Sequence, residues 1–326
     1  MVALVLPFTL NAQLTVTTGL TPAQLTGLLE GLNVTISNLT INCPDSSFGQ
    51  FTGTSEIPIS NGLVLTSGLA TAVAGPVGSW ASMPTSMGSD ADLQALVSAP
   101  TYDACVLEFD CVPLGDTLLF NFAFGSEEYP EFVGATFNDV FAIWITGPGF
   151  PVPTNVATIP GGMPVAINNV NASTNAAYYV DNEAIPGVNC AYDGFTQNLT
   201  AFAEVTPGGT YHFKIGIADV SDAIFDSGVF LEAFSFRSLM NSTSVNEATA
   251  GQLAVIDRNG VLEITLPVDR TGMDGRVLDA SGREIRRFRV SGAHHALELG
   301  GLRTGRYELE LTDARGTLHR AFVHQP

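Results

Sequence analysis

The sequence predicts an all-β protein: a large antiparallel β-sandwich or jelly-roll domain with one or two short helices, followed by a small C-terminal β-sandwich. Two observations lead to this prediction. Only 14% of the 326 residues are charged, while 33 are glycine and 20 are phenylalanine, a composition that disfavours long helices rich in Glu and Lys. Short apolar runs also recur between clusters of Gly, Pro, Asn and Ser, which is typical of many short antiparallel strands.

The charge of the chain changes abruptly near residue 240. Residues 1–240 contain 21 acidic side chains and two basic ones, Lys214 and Arg237, whereas the rest of the chain contains 11 acids and 11 arginines. Because such a change indicates a domain boundary, we predict an acidic β domain over 13–240, a polar linker over 241–251 and a smaller domain over 252–326. The acidic domain should repel nucleic acids and anionic lipids, so neither is an expected partner.

The first twelve residues are predicted to be the end of a secretory signal peptide. An apolar run, MVALVLPFTL, precedes Asn11-Ala12-Gln13, and the small residue fits cleavage after Ala12. An ordinary first strand is the alternative interpretation of this run. No stretch of about eighteen apolar residues occurs in the chain, so no transmembrane segment is expected. This pattern predicts an exported protein.

Two short helices can be assigned in the acidic domain. Thr21-Pro22-Ala23-Gln24 has the residues of a helix start, with Thr as N-cap, Pro at the first helical position and Gln three residues after the cap. Leu25, Leu28, Leu29 and Leu32 follow at helical spacing and should form one apolar stripe that packs on a sheet. Ser89 predicts the cap of a second helix over 90–97, whose acids lie in the favourable first turn.

The remaining apolar runs are predicted to be strands. Asn61-Gly62 is a tight-turn signal, and residues 147–153 form a loop rich in Pro and Gly. The predicted strands of the acidic domain are 33–41, 63–66, 104–112, 117–124, 140–145, 156–159, 165–170, 195–205, 210–218 and 229–237. Those of the C-terminal domain are 253–256, 261–266, 275–278, 284–290, 297–299, 307–311 and 318–323.

Four cysteines, Cys43, Cys105, Cys111 and Cys190, fit an exported protein with up to two disulfides. Cys105 and Cys111 lie on one predicted strand, roughly 20 Å apart, which is too far for them to bridge each other. Cys43 and Cys190 lie in loops, so each is expected to reach that strand or the other loop. A zinc site is not expected, because the sequence has no CxxC pair with a neighbouring His.

Two connections between predicted core strands are unusually acidic. The first, FGSEEYPEFVGATFNDVF at 124–141, contains four acids and no basic residue; the second, IADVSDAIFDSGVF, follows the strand 210–218. Carboxylates at this density repel one another unless they reach water or share a cation, and Ca²⁺ prefers such oxygen ligands. We predict a calcium site at one end of the sandwich, with backbone carbonyls completing it. Its predicted ligands are Glu127, Glu128, Asn138, Asp139, Asp219, Asp222 and Asp226.

An alternative interpretation is that these acids cap turns and accept hydrogen bonds from backbone N–H groups, as Asp often does.

No catalytic residue is predicted, because the sequence contains no nucleophile elbow, HExxH, P-loop or Gly-rich dinucleotide turn. His212 is the single histidine of the acidic domain and is interpreted as structural. A carboxylate pair such as Glu127 and Asp219 could in principle support glycoside hydrolysis. Trp144 lies in an apolar strand and should be core, while Trp80 and Tyr129 are the candidate residues for a binding surface.

The acidic domain resembles the choice-of-anchor L domain, a family of secreted bacterial surface proteins. The residues that carry the resemblance include FGSEEYPEFVGATFNDVF, NGLVLTSGLATAVAGPVGS from Asn61, YYVDN from Tyr178, YDGFT from Tyr192, and the run TYHFKIGIADVSDAIFDSGVFLEAFSF from Thr210. They extend roughly from Thr21 to Arg237. The resemblance implies an extracellular β domain joined to a variable C-terminal anchor.

The C-terminal domain is similar to the type IX secretion sorting domain of Bacteroidota. The resemblance rests on RVLDASGREIRRF, LELGGLRTGRYELEL and HRAFV, of which Gly305-Arg306-Tyr307 is the most specific part. It implies that residues 252–326 engage the type IX machinery and direct export across the outer membrane. A plain β-sandwich appendage is the alternative.

Three functions are therefore considered. The first is a secreted or cell-surface, calcium-stabilised β-sandwich that works by binding or adhesion, with a surface glycan or another copy as partner. The second is a self-assembling extracellular filament or matrix subunit, with the N-terminal segment Gln13–Gly19 as a donated strand. The third is a carbohydrate-active hydrolase that uses the acidic cluster. The first is preferred, because no catalytic motif supports an enzyme.

Overall fold

The computed structural model describes residues 13–159, 161–185, 187–239, 253–258, 261–266, 270, 272–279, 283–292, 294–302 and 305–324. The predicted signal peptide, 1–12, and the predicted linker, 241–251, lie outside these described residues. The chain divides into two compact units, unit 1 at 1–240 and unit 2 at 241–326, and this division falls where the charge of the sequence changes. Strands dominate both units, which confirms the predicted all-β class.

Unit 1 contains, in its described residues, the helices α1 (Pro22–Leu29) and α2 (Ala91–Gln94). Its strands are β1 (Thr15–Thr17), β2 (Val34–Asn42), β3 (Phe48–Thr52), β4 (Asn61–Thr66), β5 (Thr101–Pro113), β6 (Thr117–Ser126), β7 (Val140–Gly147), β8 (Phe150–Asn155), β9 (Thr158–Ile159), β10 (Met163–Pro164), β11 (Tyr179–Asp181), β12 (Gly194–Thr196), β13 (Leu199–Glu204), β14 (Tyr211–Val220), β15 (Ser227–Glu232) and β16 (Arg237–Leu239).

Two antiparallel sheets form the sandwich of unit 1. One has nine strands in the order β1-β3-β4-β15-β6-β12-β11, with β13 and β16 also paired to β6, and the other has the order β2-β5-β14-β7-β8. Phenylalanines from both sheets, such as Phe120 and Phe109, belong to one continuous core. Tight packing of these rings between the sheets is what holds the two layers together.

Both sheets are also covered on their outer faces, which explains why several strands are buried on both sides. Phe51, Phe230 and Tyr192 pack on the outer face of the nine-stranded sheet. Leu93 of α2 packs against Val106 and Trp144 on the outer face of the five-stranded sheet. Such strands read as continuous apolar runs rather than as alternating ones.

Helix α1 begins as the sequence predicts. The Gln24 backbone N–H donates to the Thr21 hydroxyl, and the Thr21 N–H donates to the Gln24 side chain at 2.9 Å, so the capping box is complete. Leu25, Leu28 and Leu29 are buried against the sandwich. The prediction that Leu32 joins this stripe is wrong, because the helix ends at Leu29 and the Leu32 side chain is exposed.

Four local predictions are corrected by the structure. Asn61-Gly62 begins strand β4 rather than a turn, and Gly62 is needed because a Cβ there would lie 1.9 Å from the Leu231 carbonyl oxygen of β15. Asp90, not Ser89, caps α2, since its carboxylate accepts the first-turn N–H groups. The predicted loop at 147–153 contains the edge strand β8, where Pro is tolerated. Residues 165–170 form a turn instead of a strand.

One of the open cysteine pairings is formed. Cys43, just after β2, is disulfide-bonded to Cys105 on the neighbouring strand β5, with 4.7 Å between their Cα atoms. Cys111 and Cys190 are free and buried. The antiparallel register of β2 and β5 pairs Asn42 with Val106, which brings Cys43 beside Cys105.

Unit 2 is a small β-sandwich. Its strands are β17 (Ala254–Arg258), β18 (Val261–Thr265), β19 (Met273–Asp279), β20 (Glu284–Val290), β21 (His294–Glu298), β22 (Gly305–Asp313) and β23 (Gly316–His324). They form the sheets β17-β18-β21 and β20-β19-β22-β23. Ile264, Val277 and Leu309 belong to the core of this unit. The structure confirms the seven predicted strands.

None of the helices in the described residues has the length and hydrophobicity needed to cross a lipid bilayer.

Candidate functional site

Six strand ends meet at one end of the sandwich of unit 1, which we call the acidic end. Antiparallel pairing places the ends of β4, β6 and β14 beside the beginnings of β5, β7 and β15. The two acidic connections predicted to carry calcium ligands, 127–139 and 219–226, both emerge here. Their convergence is therefore a consequence of strand direction.

Five of the seven predicted ligands are buried together at this end. We call Glu127, Glu128, Asp139, Asp219 and Asp226 the acidic cluster. Each is at most 6% exposed, which is exceptional for carboxylates and requires hydrogen bonds, protons or a counter-ion. Asn138 lies outside the cluster, because its side-chain oxygen accepts the Asn168 N–H. Asp222 is half-buried and accepts the Ile224 N–H, as a turn-capping Asp does.

Three members of the cluster accept backbone hydrogen bonds that join separate loops. Asp139 accepts the Val220 N–H at 3.0 Å and the Ser227 hydroxyl at 2.6 Å. Glu127 accepts the Ala81 N–H at 2.7 Å, and Asp226 accepts the Met83 N–H at 3.0 Å. These contacts follow the turn-capping interpretation, in which the acids hold the backbone.

The close packing around Asp226 depends on a glycine. A Cβ atom at Gly68, two residues after β4, would lie 1.7 Å from the Asp226 carboxylate. The absent side chain leaves the space in which this buried carboxylate sits beside the end of β4. Gly68, the last residue of the segment NGLVLTSG, therefore makes room for a buried carboxylate at the acidic end.

Two members of the cluster have oxygens with no donor. Among the residues that the structure describes, no group donates a hydrogen bond of ordinary geometry to either carboxylate oxygen of Asp219 or to Oε2 of Glu128. The Ser67 hydroxyl lies near Asp219 and partly offsets the effect of burial on its pKa. Asp139 lies close enough to both to raise their pKa values by charge repulsion. These oxygens are where a proton or a cation is needed.

Burial raises the pKa of every member of the cluster. Burial and the charges of Asp139 and Asp222 raise the pKa of Glu128 to about 9. Burial is also the largest cause for Glu127, whose pKa is raised to about 8, and for Asp139 and Asp226, whose pKa values are raised to about 7. The pKa of Asp219 lies well above its usual range for the same reason. Near neutral pH the cluster therefore retains protons unless a cation replaces them.

The arrangement of these side chains does not form a metal cage. No group of three or more His, Cys, Asp or Glu side chains within the described residues is positioned to hold a metal ion. The calcium site stays a prediction. The oxygens available to it are those of Asp219 and of Glu128 that lack a donor.

An aromatic surface, formed by exposed Trp80 and three half-buried phenylalanines, lies over the acidic end. We use this name for Trp80, Phe132, Phe137 and Phe225. The Trp80 and Phe225 ring centroids are 5.3 Å apart, Phe225 and Phe132 are 5.5 Å apart, and Phe132 and Phe137 are 5.3 Å apart. Trp80 is 69% exposed, and the flanking Met83 and Ile224 side chains are also exposed. Exposed apolar surface of this kind marks an interaction site.

The acidic cluster holds the loops that carry the aromatic surface. The Ala81 N–H, next to Trp80, donates to Glu127. The Asp226 N–H donates to the Ala81 carbonyl at 2.9 Å, and the Phe225 N–H donates to the Ser82 hydroxyl at 3.0 Å. Phe225 itself has a positive φ of 64°, an unfavourable conformation that surrounding contacts must maintain. A buried network of hydrogen bonds therefore holds the loops of the aromatic surface in place.

The second predicted binding residue, Tyr129, is not on this surface. It is fully buried, and its hydroxyl donates to the Val170 carbonyl. Its ring packs against Tyr179 and over Gly194, where a Cβ would lie 2.8 Å from the Tyr129 side chain. The prediction of a binding role for Tyr129 is wrong, because the turn after β6 directs this side chain into the core.

Two further acids lie at the acidic end that the sequence analysis does not predict there. Asp103, on β5, is buried and accepts hydrogen bonds from Thr85 and Met87, which holds a further loop at the acidic end. Asp193 lies within hydrogen-bonding reach of Glu127, a contact between two carboxyls that requires a shared proton. The sequence signal for Asp103 is an acid within an apolar run, TYDACVLEF. Asp193 has no comparable signal.

His212 and Trp144 lie away from the acidic end. The two ring nitrogens of His212 are 2.9 Å from Asp110 Oδ1 and 3.1 Å from Glu108 Oε2, both on the adjacent strand β5. Trp144 is buried, as predicted from its apolar strand. These contacts give His212 a cross-strand structural role on the five-stranded sheet.

The chain is distantly similar to several solved structures, and a search of curated proteins gives no match. A DUF3244 family protein from Bacteroides vulgatus with an immunoglobulin-like β-sandwich is 17% identical, covers 24% of this chain and 88% of that one, and has a TM-score of 0.22. A biofilm-associated protein BSP domain is 8% identical, with 71% and 54% covered and a TM-score of 0.20. Ruminococcus gnavus β-glucuronidase is 9% identical, with 68% and 35% covered and a TM-score of 0.16. None of these likenesses carries an argument about function.

The comparison with protein families identifies the family of this chain. The model of the Choice-of-anchor L domain matches residues 15–237. This range covers well over half of the chain and includes both acidic connections, the aromatic surface and the sandwich strands from β1 to β15. The chain belongs to the Choice-of-anchor L domain family.

Proposed function

We propose that this surface-associated β-sandwich protein works by binding or adhesion through the aromatic surface at its acidic end. The observation that carries the proposal is the exposure of Trp80, 69%, on a loop that buried hydrogen bonds hold in place. A large apolar side chain fixed in this way loses little conformational entropy when a partner covers it. Aromatic anchors of this kind dominate the energetics of interfaces.

The partner that best suits this surface is a neutral surface glycan. Aromatic rings offer flat apolar faces, which match the apolar faces of sugar rings. Unit 1 carries the whole net charge of −19, so it repels anionic polymers. Half-buried Asp222 and Asn138, close to the aromatic surface in sequence, supply polar groups for hydroxyls.

Calcium is proposed to stabilise the acidic cluster. The support is the set of buried carboxylate oxygens without donors on Asp219 and Glu128, because oxygen-rich, charge-dense sites favour Ca²⁺. Since no metal cage is formed by the described side chains, binding would require them to move together around the ion. Asn138 and Asp222 are not part of this proposal, because both are half-buried and lie outside the acidic cluster, whose oxygens without donors belong to Asp219 and Glu128.

Export is proposed to depend on unit 2. Its seven-stranded sandwich and its similarity to type IX sorting domains support a role for residues 252–326 as the segment that engages the type IX machinery in Bacteroidota. The protein would then act outside the cell, where a Cys43–Cys105 disulfide is stable.

A hydrolase is not favoured. Glu127 and Asp219, the carboxylates considered for glycoside hydrolysis, are buried and cannot contact a polysaccharide in this structure. The second candidate remains a self-assembling extracellular subunit, and the observation that favours it is the open edge of strand β13. The N-terminal segment considered as a donated strand pairs instead within its own chain, where β1 lies beside β3.

The binding proposal is tested with the full chain on a panel of neutral and acidic polysaccharides. We expect binding to neutral members, weakened at least about tenfold by Trp80→Ala because a central aromatic anchor is removed. Phe234→Ala is the matched control, since Phe234 is 58% exposed and lies beyond the opposite end of β15. No binding to any polysaccharide, or an equal loss in both variants, would contradict the proposal.

A further inference from the structure

The open edges of the two sheets in unit 1 differ in how well they are protected against pairing with another chain. An edge strand exposes unpaired N–H and C=O groups, which proteins shield with Pro, bulges or short length. Edge strand β8 contains Pro151 and Pro153. Edge strand β2 has an irregular register between Ser37 and Thr40. Edge strands β1 and β11 have three residues each.

Strand β13 has none of these protections. It pairs with β6 over all six of its residues in an unbroken register, and among the described strands it has no neighbour on its other side. Its sequence, LTAFAE, contains no Pro. It is therefore a regular edge whose outer backbone groups are available.

The side chains of β13 suit an extension of the sheet. Leu199, Ala201 and Ala203 face the core of the sandwich, while Phe202 on the outer face is 51% exposed. A small apolar cavity lies beneath the strand, lined by residues that include Leu118, Val156, Ala201 and Phe213.

We propose that a second copy of this chain extends the nine-stranded sheet by pairing its β13 antiparallel to this β13. A twofold axis perpendicular to the sheet allows such a contact. Because side chains alternate between faces, a register that pairs a residue with its own copy keeps the apolar faces continuous. The two such registers with the greatest overlap of β13 pair Ala201 with Ala201 of the second copy, or Phe202 with Phe202.

The position of the one charge on β13 is compatible with a second copy as the occupant of this edge. Glu204 is the single charged residue of β13, and neither register places it opposite Glu204 of the other copy: it faces Asn198 in one and Thr200 in the other. Like charges directly opposite would be destabilising. The strand is therefore complementary to itself at both the apolar and the charged positions.

This proposal does not depend on glycan binding at the acidic end, since β13 contributes no residue to the aromatic surface. The net charge of unit 1 opposes association over longer distances, and salt screens it. We therefore expect self-association to strengthen as the salt concentration rises, as is typical of a contact between like-charged molecules.

The first test is sedimentation velocity of the full chain over a range of protein and salt concentrations. We expect a monomer–dimer equilibrium whose dissociation constant rises at least about tenfold in Phe202→Asp, which places a charge at the centre of the contact. The control is Val152→Asp, because Val152 is 63% exposed on the proline-protected edge β8. A monomer at every concentration and salt, or equal effects of both substitutions, would overturn the proposal.

Cross-linking identifies the contact directly and does not depend on the effect of Phe202→Asp. Oxidised Phe202→Cys should form a covalent dimer if Phe202 pairs with itself, whereas the other register should cross-link a mixture of Phe202→Cys and Thr200→Cys chains. The native free cysteines, Cys111 and Cys190, are buried, and Val152→Cys is the control. The absence of a β13 cross-link from both arrangements would also reject the model.

Discussion

At the scale of single residues, the acidic cluster contains carboxylates of two kinds. Asp139 receives hydrogen bonds at both oxygens, from the Val220 N–H and the Ser227 hydroxyl. Asp219 is equally buried but receives none of ordinary geometry from the described residues. Burial of a carboxylate without donors is costly unless a proton or cation compensates. The two residues should therefore respond differently to the same substitution.

We predict that Asp139→Asn destabilises the protein and that Asp219→Asn does not, in the presence of a chelator at neutral pH. Asp139→Asn should lower the free energy of unfolding by about 1–3 kcal/mol, because the amide nitrogen cannot accept a hydrogen bond in place of an oxygen. Asp219→Asn should leave stability unchanged or raise it, because it removes a poorly compensated acid. Urea unfolding of the full chain measures both.

Adding calcium separates the metal proposal from the proton alternative. A ligand at 100 times its dissociation constant raises the free energy of unfolding by about 2.7 kcal/mol. We expect this rise in the parent and in the control Asp45→Asn, which changes an exposed residue. We do not expect it in Asp139→Asn or Asp219→Asn. Thermal unfolding with calcium and with chelator measures it. If calcium changes none of the unfolding temperatures, the cluster retains protons instead and the calcium proposal is withdrawn.

At the scale of elements, unit 1 is held together by different means in different places. Side-chain to backbone hydrogen bonds join the loops at the acidic end, while apolar packing fills the middle of the sandwich. A covalent link joins β2, an edge strand, to β5 through Cys43 and Cys105. This link secures an edge that has one neighbouring strand, β5, among the described strands.

We expect Cys43→Ser to destabilise the protein substantially. The disulfide spans 62 residues, and closing a loop of this length contributes about 4 kcal/mol in the chain-entropy model. Urea unfolding with and without reductant measures the loss. The parent in reductant should match the variant, and the variant should not respond to reductant. Equal stability of parent and variant under oxidising conditions would show that the link adds little.

At the scale of the whole molecule, the net charge of −19 is combined with buried acids whose pKa values are raised. For Glu127, Glu128, Asp139 and Asp226 the raised values are about 8, 9, 7 and 7, against about 4 in an unfolded chain. Between these limits the folded state binds more protons than the unfolded state. Stability must therefore fall as pH rises through this window.

We predict that, in chelator, the free energy of unfolding is greatest near pH 4–5 and falls by at least about 3 kcal/mol by pH 9. Chemical unfolding at a series of pH values measures this profile. Glu128→Gln should flatten it, because the amide does not titrate, whereas a substitution at exposed Asp45 should not. A stability that rises with pH across the same range would contradict the raised pKa values.

Much of the architecture could be predicted from the sequence because it depends on local patterns. The capping residues of α1, the apolar runs of the core strands, the seven strands of unit 2 and the change in charge near residue 240 are properties of contiguous segments. The acidic connections were also evident, since four acids between two core strands stand out in any environment. The family resemblance rested on the same contiguous motifs.

The tertiary structure decided what these residues do. Whether Tyr129 is exposed, which cysteine pairs with Cys43, and which acids receive backbone hydrogen bonds depend on strand order and register, which no local pattern specifies. Asp103 and Asp193 join the acidic end only because antiparallel strands bring distant segments together. The open edge of β13 is likewise a property of the assembled sheet. Local sequence determined the elements, and long-range pairing determined the site.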